Sequence, residues 1–288
     1  MFESIGDWIK SGLIEAVMSK FETLFSSIND KVSEVATQVG QSPYSWNSNI
    51  FDMIKNLSET IIIPIAGIIL TFIMCYELIS LIIDKNNMHD FDTFFDTFNI
   101  YKWVFKTFVA TLIITNCFDI VMGVFEVSQY VVDQSGGIIN QSLDINMALP
   151  DLEAQLEAMS MWEILGVWLE TNIVGLCMDA LSIIIFVILW GRIIEIYLTV
   201  SLAPIPLSTM VNREWGQMGN NYLKSLFALG FQGFLILVCV AIYAAMVGSI
   251  ASAENIHGAI WGTAGYTVLL GCAMFKTGSL TKQIFGAN

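Results

Sequence analysis

Apolar residues form five long stretches along this chain, separated by shorter polar segments. A helix needs about 20 residues to cross the roughly 30 Å hydrocarbon core of a bilayer. Each stretch is close to that length or longer, so the pattern predicts an all-α, polytopic membrane protein with about five transmembrane helices. The predicted spans are 61–83, 103–125, 173–201, 226–250 and 259–276. The last is rich in glycine and alanine, which leaves a re-entrant or tilted segment open for it.

The N-terminal region has a different periodicity, with apolar residues at steps of three and four. This spacing predicts one amphipathic helix over residues 2–39, which ends at Gly40 and Pro43. Such a helix either packs on the spans or serves as an interfacial anchor or oligomer seam. Its polar face mixes acids with lysines instead of being rich in lysine, and this favours packing against other helices.

Composition supports lipid as the main solvent. Hydrophobic residues make up 55% of the 288 residues and charged residues 13%, with a mean hydropathy of +0.67. Soluble domains carry about 25% charged residues, and a large soluble core breaks its apolar runs into segments of about 10 to 14 residues. The net charge of −14 argues against nucleic-acid binding along a basic surface.

The sequence contains no recognisable set of catalytic or cofactor-binding residues. Phosphate-binding, HExxH and CxxC motifs are missing, and the two histidines, His89 and His257, fall on opposite predicted sides of the membrane. The cysteines all lie in apolar runs and read as small buried hydrophobic residues: Cys75, Cys117, Cys177, Cys239 and Cys272. We therefore expect a protein that is not an enzyme and holds no metal or cofactor.

Basic residues near the span ends predict the orientation, because such residues are retained on the cytoplasmic side. They are Lys85, Lys102, Lys106, Arg213, Lys224, Lys276 and Lys282. By contrast, 126–172 contains no lysine or arginine and eight acids. The prediction is a multi-pass protein of the plasma (inner) membrane with its N-terminus outside and its C-terminus in the cytoplasm. Four lysines in the first 60 residues count against this orientation.

This layout divides the chain into five parts. They are an extracytoplasmic amphipathic helix with its linker, two transmembrane helices, an acidic extracytoplasmic connection with a short helix, three transmembrane helices around a proline-containing cytoplasmic loop, and a cytoplasmic tail. In order, the parts are 1–60, 61–125, 126–172, 173–276 and 277–288. The third part, 126–172, is called the acidic connection below.

Ionisable residues inside predicted spans are candidates for function, because an unpaired charge is costly in lipid. The candidates are Asp119, Asp179, Arg192 and Glu195. Arg192 and Glu195 are three positions apart and therefore occupy adjoining parts of one helix face. A mutual ion pair and the lining of a water-filled passage are both open interpretations.

Small residues recur in the last two predicted spans, several of them at four-residue spacing. Small residues at this spacing let helices approach closely in lipid, where hydrophobicity no longer drives association. The positions are Gly230, Gly233, Ala241, Ala245, Gly258 and Gly262. They predict tight helix packing, either within one chain or between copies.

A double-proline break follows the third span. Pro204 and Pro206 remove two backbone donors and end the helix, and the chain then passes Arg213 and Trp215 before it re-enters an apolar run at Tyr222 and Lys224. We name the segment Ala203–Trp215 the proline bracket. It suits either docking to another subunit or an ordinary inner loop.

The stretch "IIEIYLTVSLAPIPLSTMVNREWGQMGNNYLKSLFALGFQGFLILV" resembles the TrbL/VirB-six family of polytopic membrane subunits in type IV secretion and conjugation machines, in the form encoded by Gram-positive conjugative elements. The tail "GSLTKQIFGAN" is also similar to the family's C-terminal segment. The residues that carry the resemblance are Ala203, Pro204, Pro206, Trp215, Tyr222, Lys224, Gln232 and Gly233.

The resemblance implies a channel or scaffold subunit that helps move single-stranded DNA with its attached relaxase, or protein substrates, across the membrane. It implies partner subunits, including cytoplasmic ATPases that supply the energy and extracellular components, and no cofactor. We expect a homo-oligomer, because five spans in one chain leave little room for a wide pore. Two other classes stay open: a small-solute transporter or ion channel, and a membrane scaffold without a lumen.

Overall fold

The computed structural model describes residues 2–87, 93–142, 149–250 and 256–287. The protein is 93% helical, and the described residues contain no strand, which confirms the predicted all-α membrane fold. In chain order the helices are α1 (Phe2–Gly40), α2 (Pro43–Trp46), α3 (Ser48–Leu57), α4 (Ile63–Asn87), α5 (Thr93–Thr115), α6 (Cys117–Ser142), α7 (Leu149–Ala158), α8 (Met161–Ser201), α9 (Pro204–Thr209), α10 (Gly216–Ile250) and α11 (Ile256–Ile284). A π-helical turn, Ser58–Ile62, joins α3 to α4.

Among the residues that the structure describes, four helical segments are long and apolar enough to cross a membrane by themselves. They are Ser48–Ile83, Met161–Ser201, Gly216–Ser249 and Ile256–Ile284. These segments include the first, third, fourth and fifth predicted spans. Because α11 is unbroken along its whole length, it has the form of a crossing helix and not of a re-entrant segment.

The second predicted span, 103–125, is not one straight helix. Phe98–Thr115 and Cys117–Ile139 are bent by 67° relative to each other, and count as a fifth span only if the bent pair crosses as one. Asn116 lies at the break, where its side-chain amide donates to the carbonyl of Leu112 at 2.9 Å. Asparagine side chains compete in this way with the backbone bonds of a helix.

The acidic connection is largely helical in the structure. α6 continues to Ser142, α7 follows the undescribed residues 143–148, and α8 begins at Met161, well before the predicted start at 173. The N-terminus of α8 is fixed by Ser160, whose backbone N–H donates to the carboxylate of Glu163 at 2.7 Å. This is half of a capping box. With 41 residues, α8 is about 60 Å long, roughly twice the thickness of the hydrocarbon core.

The described chain forms two compact units. The first consists of Met1–Gly40, Tyr130–Gly191 and Gly233–Thr277. In its core, one apolar stripe of α1 packs against α8 and α10, and α7 adds further side chains to the same core. The α1 residues in this stripe are Val17, Phe21, Leu24, Ile28, Val35 and Val39. α1 is therefore a helix-packing element, as its mixed charges predicted.

The second unit consists of Gln41–Gln129, Arg192–Gln232 and Gly278–Asn288. Within it, α4 and α5 pair as an antiparallel hairpin. The indole N–H of Trp103 donates to the carbonyl of Met74 at 3.0 Å, and Lys106 forms an ion pair with Glu77. The C-terminal part, 278–287, continues α11 to Ile284 and packs in this unit, where Phe285 lies against the rings on α10.

One hydrogen bond in the second unit bears on the predicted layout. The hydroxyl of Tyr197 donates to the carbonyl of Pro43 at 2.6 Å, and Trp46 packs on the same tyrosine ring. Pro43 therefore lies at the level of the C-terminal end of α8. The layout puts these two residues on opposite faces of the membrane, and the extracytoplasmic placement of 1–60 stays a prediction.

Candidate functional site

The proline bracket folds into the second unit instead of forming an exposed loop. α9 begins directly at Pro204, where the missing N–H costs no helical hydrogen bond. Ala203, Pro204, Leu207 and Thr209 are buried, and α9 packs against α4 and α5. Ala203 and Pro204 are thus enclosed by their own chain, and a docking role for the bracket stays a prediction.

The second half of the bracket returns along α4 to the start of α10. Trp215 stacks on Phe72 at 5.8 Å and on Tyr76 at 6.3 Å between ring centroids. The side-chain oxygen of Asn212 accepts hydrogen bonds from the backbone of Glu214 and Trp215 and shapes the turn. Trp215 keeps 42% of its surface exposed, and Arg213 is exposed. Docking by Arg213 and Trp215 therefore stays a prediction.

Tyr222 and Lys224 follow the bracket on α10. The hydroxyl of Tyr222 donates to the carbonyl of Thr199 at 3.1 Å, so this residue ties α10 to the last turn of α8. Lys224 is exposed on α10. Pro206, the remaining residue of the motif, is half-buried in α9.

Arg192 is buried, with only 6% of its surface exposed. Its Nε donates to the carbonyl of Leu229 at 3.3 Å and its Nη2 to the carbonyl of Gly230 at 3.1 Å. Glu195 lies on the exposed face of α8 and pairs with Lys282 at 3.3 Å. Arg192 and Glu195 thus have separate partners in this structure, and the other interpretation, a water-filled passage, stays a prediction. The two residues share a helix but point to different surroundings, and the arginine reaches across to α10.

At Gly230, α10 lies close to α6. A Cβ added at this buried glycine would overlap the side chain of Ser128. The same residue supplies a carbonyl to Arg192, so α6, α8 and α10 meet at one position. We name the set Ser128, Arg192, Leu229 and Gly230 the three-helix junction.

The other small residues differ in their surroundings. Gly233 is buried, Ala241 and Gly262 are half-buried, and Ala245 and Gly258 are exposed. Packing of the pairs Ala241/Ala245 and Gly258/Gly262 therefore stays a prediction, and for their exposed members the packing partner would be another molecule.

The two predicted intramembrane aspartates lie in different compact units. Asp119 is in the first turn of α6, where its carboxylate is 74% exposed and lies 3.7 Å from the ammonium of Lys55. It borders a cavity of about 350 Å³. Asp179 is exposed on the part of α8 that belongs to the first unit. Among the described residues, no group of three or more His, Cys, Asp or Glu is arranged to hold a metal ion.

Sequence reasoning missed Lys55 and the pairing of Glu77 with Lys106. Lys55 lies between two acids, 3.9 Å from Glu59 and 3.7 Å from Asp119. The Glu77–Lys106 pair could have been predicted from the sequence, because the two residues lie at similar distances along the chain from the short connection at 88–92. An antiparallel hairpin brings such positions together.

Comparison with known families decides the identity. Residues 28–204 match the family described as TrbL/VirB6 plasmid conjugal transfer like protein. The chain belongs to this family. It is a multi-pass membrane subunit of a conjugal transfer, or type IV secretion, machine, and the family is one of structural or channel subunits.

The match covers a different region from the one that carried the resemblance. It includes α8 with Ala203 and Pro204, and it ends before Pro206 and the whole of α10 and α11. The predicted family is confirmed, while the motif residues beyond Pro204 lie outside the matched region. The chain matches no curated protein and no solved structure.

Proposed function

We propose that this TrbL/VirB6-like protein is the membrane channel or scaffold subunit through which a conjugation machine moves single-stranded DNA with its attached relaxase. The observation that carries the proposal is the family match over 28–204, which includes the whole of α8 and most of the second unit. The chain has helices suited to crossing a membrane and exposes large apolar side chains along them. It would provide the passage or its frame, while partner ATPases supply the energy.

A passage for DNA requires several copies of the chain. The described cavity of about 350 Å³ has room for about a dozen water molecules at roughly 30 Å³ each, far less than a nucleic-acid strand needs. The exposed face of α1 carries Glu15, Lys20, Glu22 and Glu34, which is costly against lipid hydrocarbon. In a homo-oligomer we place this face towards water, either in the lumen or outside the bilayer.

The proposed orientation keeps the acidic connection outside and the C-terminus in the cytoplasm. Lys10 donates to the backbone carbonyl of Glu157 in the acidic connection at 2.7 Å, so the start of α1 lies on the outer side with it. Lys55 then falls on the cytoplasmic side, because Pro43 lies beside Tyr197 near the end of α8. This placement moves Lys55 to the favoured side, and because Ser48–Ile83 would then cross outward it moves Lys85 to the opposite side.

A small-solute transporter is less well supported. Such a protein needs free polar groups that converge on a substrate. Asp119 instead pairs with Lys55, and two nitrogens of Arg192 donate hydrogen bonds to backbone carbonyls. A scaffold without a lumen differs from a channel in flux, which vesicles containing the purified oligomer would reveal.

Deletion of the gene is expected to abolish transfer of the conjugative element, because the passage or its frame is lost. The measurement is the number of transconjugants per donor, with donor growth as the control for general membrane damage. Transfer should return when the full chain is supplied in trans. Undiminished transfer by the deletion strain would refute the proposed role.

A further inference from the structure

One block of the second unit consists of α4, α5 and the segment 204–215, and we name it the arm. The chain segments that connect the arm to the rest of the unit are all irregular. Its connections are the π-helical turn Ser58–Ile62, the break at Asn116, the turn at 202–203 and the turns that precede α10 at Gly216. π-Helical turns and breaks are the places where helices bend at functional sites.

The arm has a hydrophobic core of its own. Its buried residues come from α4 and α5, and Val211 of the bracket packs against them. They are Ala66, Leu70, Ile73, Met74, Ala110 and Ile114. The rest of the unit has a separate core built from α6, α8 and α10, which the arm reaches through Ile113, Leu207 and Met210. A block with its own core and irregular connections is built to move as one body.

The π-helical turn contains an unsatisfied buried group. Ser58 is completely buried, and its hydroxyl has no hydrogen-bond partner. Such a group costs free energy in the observed conformation of the turn.

Besides the apolar contacts of Ile113, Leu207 and Met210, two further features hold the arm in its observed position. The ammonium of Lys55 lies between Glu59 in the π-helical turn and Asp119 just after the break. One side chain therefore links the two ends of the α4–α5 hairpin. All three groups are substantially exposed, and exposed pairs of this kind are weak. On the other side, Gly219 of α10 lies so close to Met210 and to the carbonyl of Pro206 that any side chain there would overlap them.

From these features we infer that the arm pivots about the π-helical turn and the Asn116 break, and that the Lys55 pairs and the Gly219 contact hold it in the closed position. The arm is a hinged gate element of this subunit. The inference does not depend on what passes through the machine, because it concerns only the chain's own conformations.

The test measures a distance between spin labels in the full chain in lipid nanodiscs. Labels at Ile79 in the arm and Leu198 in α8 are both on exposed positions, in a background without the five native cysteines. Since 17 residues separate Ile79 from Ile62, a pivot of about 20° moves the label by about 9 Å at a rise of about 1.5 Å per residue. In Lys55→Ala and in Gly219→Ala, the distribution of distances between the two labels should show a larger second population, displaced from the first by up to that amount.

Matched controls separate a pivot from general loosening. Lys31→Ala removes another lysine–glutamate pair, on α1, and Gly123→Ala adds a Cβ where no atom lies within 4 Å. Neither control should change the distances. Identical distributions in all variants, or equal broadening in the controls, would overturn the inference.

Amide hydrogen exchange provides a second test of the pivot, and it uses the chain with its native cysteines in place. Lys55→Ala should raise amide exchange at 58–62 and 113–118 at least several-fold, and Lys31→Ala should not. Unchanged exchange in Lys55→Ala would contradict a pivot at segments 58–62 and 113–118.

Discussion

Arg192→Glu is expected to prevent formation of the folded protein. The substitution would place a carboxylate against the carbonyl oxygens of Leu229 and Gly230 in a buried position. Removing a matched buried partner and leaving an uncompensated charge costs about 3 to 5 kcal/mol, a large part of the stability of a typical protein. The measurement is the yield of monodisperse protein in mild detergent and the midpoint of its thermal transition.

Two other substitutions separate charge from packing at this position. Arg192→Lys keeps a cation at this position, and Arg192→Met keeps an unbranched, flexible side chain without the charge. We expect both to fold, with Arg192→Met within about 1 kcal/mol of the native chain, because buried ionic groups are often replaceable by apolar ones. A normal yield and midpoint for Arg192→Glu would show that the arginine is not held as described.

Gly230→Val is expected to separate the helices at the three-helix junction. A side chain there overlaps Ser128 on α6 and displaces the carbonyl that Arg192 binds. Overpacking of a filled interior costs about 1 to 3 kcal/mol, and the lost arginine contact adds to that. Thermal unfolding should show a clearly lower midpoint.

Gly123→Val is the matched control for this substitution. Gly123 is also a helical glycine, on α6, but no atom lies within 4 Å of a Cβ built there. It therefore reports the intrinsic cost of a β-branched residue in a helix without an overlap. Equal effects of the two valines would mean that the close approach at Gly230 contributes nothing.

The spans were predictable from sequence because their signal is local. About 20 consecutive apolar residues are enough to identify a crossing helix, and no knowledge of neighbouring helices is required. The start of α8 could also have been predicted, since Ser160 and Glu163 have the spacing of a capping box. The predicted start at 173 followed hydropathy alone and for that reason came too late.

The functional geometry was not predictable because it depends on partners distant in sequence. The sequence predicted one straight span over 103–125, and the 67° bend at Asn116 was not predicted. A pair with the sequence neighbour Glu195 was one of two open interpretations for Arg192, whereas its acceptors lie 37 and 38 residues further along the chain. The prolines correctly predicted where the third span ends, yet they carried no information on the α4–α5 hairpin that encloses α9.

Accessibility of single cysteines in intact cells tests most directly that this chain crosses the membrane in the proposed orientation. Glu153 in α7 and Gln283 near the end of α11 are both exposed, so each accepts a cysteine without loss of packing. In a cysteine-free background, a membrane-impermeant thiol reagent should label Glu153→Cys in intact cells and Gln283→Cys only after the cells are opened. Equal labelling of both sites in intact cells would contradict a membrane between them.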